Sequence, residues 1–173
     1  ESLDLVARAW PAATLSLYAS RDQELEHAGK KYQVQGAPRL EEEGAPKGDL
    51  ALVALDDDHS KRYVPRLLAL GYRVIDKSSV YRADPKVLLV TAGVNSDRVD
   101  DGVRLVANPN CTTIPLMLAL SPLHKEYGLE AITVSTYQAV SGAGIGALDG
   151  FLEASKVGFQ SLSRIGDMFD PKG

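Results

Sequence analysis

The sequence predicts an α/β fold built on a doubly wound, mostly parallel sheet. Three observations carry this. Short apolar runs of the kind buried on both faces, such as Leu50-Ala-Leu-Val-Ala-Leu55, alternate with amphipathic helical stretches. Glycines close those stretches, at Gly71 and Gly128. The 173 residues are 45% apolar and 24% charged, a balance that supports a real core in a globular chain.

Leu3, Leu5, Val6 and Ala9 share one face of an opening helix. Leu15-Ser-Leu-Tyr-Ala19 reads as a short strand, Asp22 to Lys31 as a polar loop, and Tyr32-Gln-Val34 as another short strand. Arg39 to Gly48 holds three consecutive glutamates among Gly and Pro and reads as a solvated connection. Leu50 to Leu55 is a parallel-type strand. Ser60 to Leu70 is a helix with Tyr63, Leu67 and Leu70 inward. Tyr72-Arg-Val-Ile-Asp76, Val87-Leu-Leu-Val90 and Leu105-Val-Ala107 are further strands, and Thr113 to Tyr127 is a helix. Ala131-Ile-Thr-Val-Ser-Thr-Tyr137 is β-branched and aromatic, hence strand by propensity. Ser141 to Gly146 is a glycine-rich turn and Ala147 to Val157 a helix; the tail from Ser161 to Gly173 has little pattern.

A net charge of −4 and a pI near 5.4 argue against nucleic acid as a main partner. No apolar run reaches membrane-spanning length, and no secretory leader is visible. The single cysteine makes no internal disulfide, which suits a cytoplasmic location. The chain opens on Glu1 inside a helical pattern, so a fragment or processed chain is expected.

The lone cysteine lies in Arg104-Leu-Val-Ala-Asn-Pro-Asn-Cys111-Thr-Thr-Ile-Pro115. Asn108 precedes a proline and should be extended. Pro115 is tolerated only in the first turn of the following helix, which places the helix start near Thr112 or Thr113. Cys111 therefore falls at the positive end of a helix dipole, a setting that favours the nucleophilic thiolate. A lone cysteine is most often a small core residue. Here a turn rich in free N–H groups points instead to chemistry.

Three segments together are specific: Val74-Ile-Asp-Lys-Ser-Ser-Val-Tyr-Arg82-Ala-Asp-Pro85, Ala107-Asn-Pro-Asn-Cys-Thr-Thr113, and Val134-Ser-Thr-Tyr-Gln-Ala-Val-Ser-Gly-Ala-Gly144. In order and spacing they resemble aspartate-semialdehyde dehydrogenase, from Leu15 through the helix near Val157. The cysteine segment by itself also resembles phosphorylating glyceraldehyde-3-phosphate dehydrogenase and acetylglutamyl-phosphate reductase. The resemblance implies a Rossmann-like NADP-binding domain over residues 1–110 and the beginning of an α+β catalytic and dimerisation domain over 111–173.

The family reduces β-aspartyl phosphate to aspartate semialdehyde with NADPH, in the biosynthesis of lysine, threonine and methionine. By resemblance Cys111 is the nucleophile. It expels phosphate to give a thioester, which hydride then converts to a thiohemiacetal and the aldehyde. Gln138 matches the glutamine that holds substrate beside the sulfur. Arg82 matches the phosphate-binding arginine, whose planar fork suits that ligand, and Asn110 matches a phosphate-binding asparagine. A strand end, a surface arginine and a helix cap are the plain structural alternatives for these three. Ser20 and Arg21 match the segment that meets the 2′-phosphate of NADP, while Ser141 and Gly142 match the turn against its nicotinamide. Relatives are homo-oligomers. No metal is implied, and His27, His59 and His124 have no spacing that makes them a base to Cys111.

The chain also departs from the family. Its first strand and glycine-rich phosphate loop are missing, which should leave the strands near Leu15 and Leu50 without the neighbour between them. The family's catalytic histidine and carboxylate-binding arginine lie beyond the point where the sequence stops. The chain alone is therefore expected to be inactive. A family glycine pair beside the cofactor is replaced within Leu55-Asp56-Asp57-Asp58-His59; Lys77 replaces an asparagine and Gly93 a glutamate. Added negative charge beside a phosphate-bearing ligand is unfavourable. Contiguous aspartates rarely converge on one metal ion. Two alternatives stay open: a non-catalytic relative with impaired cofactor binding, and a related acyl-phosphate reductase.

Overall fold

In a computed structural model, which describes residues 2–143, 147 and 149–155, the chain forms two compact units, 1–128 and 129–173. The first opens on α1 (Ser2–Ala9) and contains two sheets. One has the order β1-β3-β2, with β1 (Leu17–Ala19) parallel to β3 (Lys30–Gly36) and β2 (Gln23–His27) antiparallel to it. The other has the order β4-β5-β7-β6, all parallel, from β4 (Leu50–Val53), β5 (Arg73–Asp76), β6 (Leu88–Leu89) and β7 (Leu105–Ala107). Helix α2 (Asp57–Ala69) connects β4 to β5, and α3 (Thr113–Tyr127) follows β7. This is the mixed α/β, mostly parallel architecture the alternating pattern predicts.

The core lies where α2 covers the parallel sheet. Tyr63, Val64 and Leu67 of α2 meet Val53, Val74 and Tyr72, together with Ala37 and Leu40 of a short 3-10 turn (Ala37–Glu41). Each such Val or Leu contributes about 1.5–3 kcal/mol on full burial. Two strands end at open edges. Neither β1 nor β4 has a partner on its outer side among the described residues, and Leu50 and Leu52 of β4 stay exposed. The strands near Leu15 and Leu50 sit in separate sheets.

Two expectations are corrected. Residues 22–31 are not a loop: β2 pairs with β3 from Gln23↔Val34 to His27↔Lys30. Ala28 (φ 50°) and Gly29 (φ 72°) turn the chain with the two positive φ values of the tight hairpin turn. The strand is almost wholly polar because it faces solvent, which hid it. Glu24 pairs across it with Lys31 at 3.0 Å. Conversely, residues 131–137 form no strand; they are exposed and unpaired. Propensity supplies side chains suited to a sheet but no neighbour to bond to.

In the second unit, Val140–Ala143 make a 3-10 turn and 149–155 are helical. Part of the expected helix at 147–157, part of the turn at 141–146, and the tail lie outside the described residues.

Candidate active site

The carboxyl ends of parallel strands gather loops and helix N-termini, and that is where ligands bind in such sheets. Here the strand ends are stitched together. Lys77 N–H donates to the Val53 carbonyl at 2.9 Å, and Asn108 N–H to the Asp76 carbonyl at 2.8 Å. Beneath them Asp76 is fully buried. It accepts the Ser60 hydroxyl of α2 at 3.0 Å and the Ser78 hydroxyl in a very short bond. A buried carboxyl is tolerated only with such donors.

Arg82 comes off the turn after β5 and folds back over these ends. Its Nε donates to the Asn108 carbonyl at 3.0 Å and its Nη2 to the Lys77 carbonyl at 2.7 Å. The guanidinium is half-buried, and its remaining N–H groups are available to an anion.

From Asn108 the chain runs through buried Pro109 to Asn110 and Cys111. Asn110 organises the mouth of α3. Its backbone carbonyl accepts Thr113 N–H at 3.0 Å and Ile114 N–H at 3.3 Å. Its side-chain oxygen accepts Thr112 N–H at 3.0 Å and the Thr112 hydroxyl at 2.8 Å. The Cys111 thiol donates to the same oxygen at 3.7 Å. Asn110 therefore closes the turn ahead of α3 rather than capping the helix, whose cap residue is Thr112 and carries no side-chain cap bond. These contacts use the Asn110 oxygens, not its Nδ2 amide. Cys111 itself is exposed rather than packed in hydrocarbon. Arg82, Asn110 and Cys111 thus share one corner, at the ends of β5 and β7.

Ser20 and Arg21 follow β1 and are exposed. The neighbouring Asp22 carboxylate accepts Gly36 N–H at 2.7 Å and Arg39 Nη2 at 2.8 Å. Those bonds hold its pKa below the ordinary value. With Asp22 so engaged, Arg21 carries a guanidinium that no ion pair or hydrogen bond engages among the described residues. Arg21 thus presents positive charge at the carboxyl end of β1. Gln138 and Gly142 are exposed in the second unit, and Ser141 lies in its 3-10 turn.

The acidic run has a definite job. Helix α2 begins at Asp57, three residues before the expected Ser60. Asp56 caps it, accepting His59 N–H at 3.0 Å and also contacting the His59 ring at 2.7 Å. Asp57 accepts Ser79 N–H at 2.9 Å and its hydroxyl at 2.5 Å. Ser79's hydroxyl and then its N–H lower the Asp57 pKa, with Lys61 and Arg82 as more distant positive charges. The N-terminus of α2 is closed by its own carboxylate and does not fit a cofactor phosphate. The spacing Asp56-x-x-His59 ahead of a helical pattern was the capping signal in the sequence.

An open depression lined by Asp49, Leu50, Gly71, Arg73, Asp101 and Arg104 lies at the opposite, amino end of the strands, away from Cys111. Among the described residues no three His, Cys, Asp or Glu converge as a metal site, and no helix is long and apolar enough to cross a membrane.

A family model described as the semialdehyde dehydrogenase NAD-binding domain matches residues 1–102, and that family's dimerisation domain matches 120–171. The chain belongs to the semialdehyde dehydrogenase family. Among curated relatives, the aspartate-semialdehyde dehydrogenase of Aquifex aeolicus is 40% identical over 88% of this chain and 46% of its own length. That of Mycolicibacterium smegmatis is 40% identical over 84% of this chain and 43% of its own length. Among solved structures, aspartate semialdehyde dehydrogenase II of Vibrio cholerae is 31% identical with a TM-score of 0.70. The match covers 85% of this chain and 45% of that one. The chain spans about half the length of the relatives it matches, and the Rossmann-like fold of the family is the one seen here.

Proposed function

We propose that this chain carries the nucleophile and much of the cofactor-binding domain of an NADP-dependent aspartate-semialdehyde dehydrogenase, in the cytoplasmic biosynthesis of aspartate-family amino acids. The observation that supports it most is the exposed Cys111 at the mouth of α3, with Arg82 tied to the same strand end. Residues 1–110 serve the cofactor, and 111–173 begin the catalytic and dimerisation domain of a homo-oligomer.

Arg82 and the Asn110 amide hold the phosphate of β-aspartyl phosphate. The Cys111 sulfur attacks the acyl carbon. A C–S bond forms, the C–O bond to phosphate breaks, and the thiol proton leaves to solvent. Gln138 orients the substrate. Ser20 and Arg21 hold the 2′-phosphate of NADPH, and Ser141 with Gly142 border its nicotinamide; when bound, the cofactor supplies hydride. The test is the half-reaction that needs no cofactor. The chain alone is expected not to turn over, but acylation needs no hydride donor and phosphate is a good leaving group. Mixed with β-aspartyl phosphate, the chain should therefore gain one aspartyl group on Cys111 by mass spectrometry and release phosphate. Cys111→Ser should abolish the adduct, and Arg82→Ala should slow it by roughly tenfold or more. An adduct that persists in Cys111→Ser, or none with the native chain, refutes the reading.

A second reading, a non-catalytic relative with impaired cofactor binding, draws on the carboxylates that close the N-terminus of α2. Ordinary NADP affinity by calorimetry would remove it.

A further inference from the structure

Arg82 is held at one end by its guanidinium and at the other by its backbone, whose N–H donates to the Ser79 carbonyl at 3.3 Å. Ser79 is itself exposed, in a turn without regular structure. What secures it is Asp57, the first residue of α2, through a two-pronged contact: Oδ1 on the Ser79 N–H and Oδ2 on its hydroxyl. We infer that Asp57 is a positioning residue for Arg82, clamping the turn at Ser79 to α2 so that the guanidinium stays aimed across the strand ends. The inference rests on the phosphate-binding role proposed for Arg82. It gives the carboxylate a use that a glycine at position 57 could not serve.

Charge and positioning predict opposite signs, which makes the idea sharp. Asp57 is an anion near an anion site, so electrostatics alone says that removing it strengthens phosphate binding. If Asp57 works by clamping, Asp57→Ala weakens binding despite the lost repulsion. Asp57→Asn is the rescue. Its side-chain oxygen still accepts the Ser79 N–H, and its amide donates to the Ser79 hydroxyl, which accepts as readily as it donates. That variant keeps the clamp and drops the charge.

The experiment uses the whole chain and inorganic phosphate as the probe, followed by NMR. Two quantities are read: phosphate affinity, and the solvent-exchange rate of the Arg82 Nε–H that bonds to the Asn108 carbonyl. Asp57→Ala should weaken phosphate binding by roughly fivefold, about the effect of one lost hydrogen bond, and speed Nε–H exchange by a similar factor. Asp57→Asn should match the native chain in exchange and bind phosphate at least as tightly. Unchanged exchange in Asp57→Ala, or tighter phosphate binding by it, overturns the inference. If the native chain and Arg82→Ala bind phosphate equally, the reading of Arg82 as a phosphate ligand fails. The exchange rates still decide whether Asp57 positions the side chain.

Discussion

Replacing Ser60 with alanine removes one of two hydroxyl donors from a carboxyl group that solvent does not reach. Ser60 and Asp76 are both 0% exposed, and Ser78, the other donor, is 6% exposed. Water therefore cannot take the vacated place at Oδ1. A buried acceptor stripped of its donor costs about 1–3 kcal/mol, and full burial puts Asp76 in the upper part of that range. The expected loss is about 2–3 kcal/mol, which for a domain of this size moves a urea midpoint down by about 1–2 M. Ser79→Ala is the control: its hydroxyl also reaches a carboxylate, Asp57, but at the surface, and the change should stay within about 0.5 kcal/mol. Equilibrium urea unfolding followed by circular dichroism reads both. Should Ser60→Ala shift the midpoint no more than Ser79→Ala, Asp76 is not the buried, donor-dependent group described here.

Three further outcomes follow from the same structure. The Tyr18 hydroxyl is buried without a hydrogen-bond partner among the described residues, so Tyr18→Phe should hold or raise stability, by up to about 1 kcal/mol; a loss beyond that would reveal a partner. A Cβ at Gly48 would stand 2.4 Å from Tyr72 Cε1 in the core, so Gly48→Ala should destabilise by about 1–3 kcal/mol in thermal unfolding, and a neutral result would mean the ring moves freely. Asp22 has its pKa lowered from 3.8 by Gly36 N–H and then Arg39, so its contribution is present above that value and lost as pH falls through its lower folded value. Asp22→Asn should therefore lessen the loss of stability below about pH 4, and an unchanged acid limb in unfolding curves would contradict the contact.

What was legible in the sequence and what was not divides along physical lines. The bounds of β7 and α3 match the pattern residue for residue, because a buried parallel strand is continuously apolar and Gly128 (φ 69°) can end the helix where a side chain is strained. Strand β2 escaped because solvent covers it and its residues read as loop; only the Ala28-Gly29 turn betrayed it. The segment 131–137 misled in the opposite sense, since β-branched residues do not supply a neighbouring strand. The setting of Asn110 and Cys111, in a turn between β7 and α3, was readable from the local strand–turn–helix pattern. Asp57 was not. A helix start can be sensed along the chain, but the serine it grips lies 22 residues away, and only the crossover between β4 and β5 brings the two together.

The two carbonyls that receive the Arg82 guanidinium belong to adjacent strands, just past the last rungs of their ladder. One side chain thereby staples β5 to β7 at the point where the backbone leaves the sheet toward the sulfur. Fraying of those ends would ordinarily let the turn that carries Arg82 and the turn that carries Cys111 drift apart. With the staple in place they ride on a common frame, and their spacing is a property of the sheet, set before any ligand arrives.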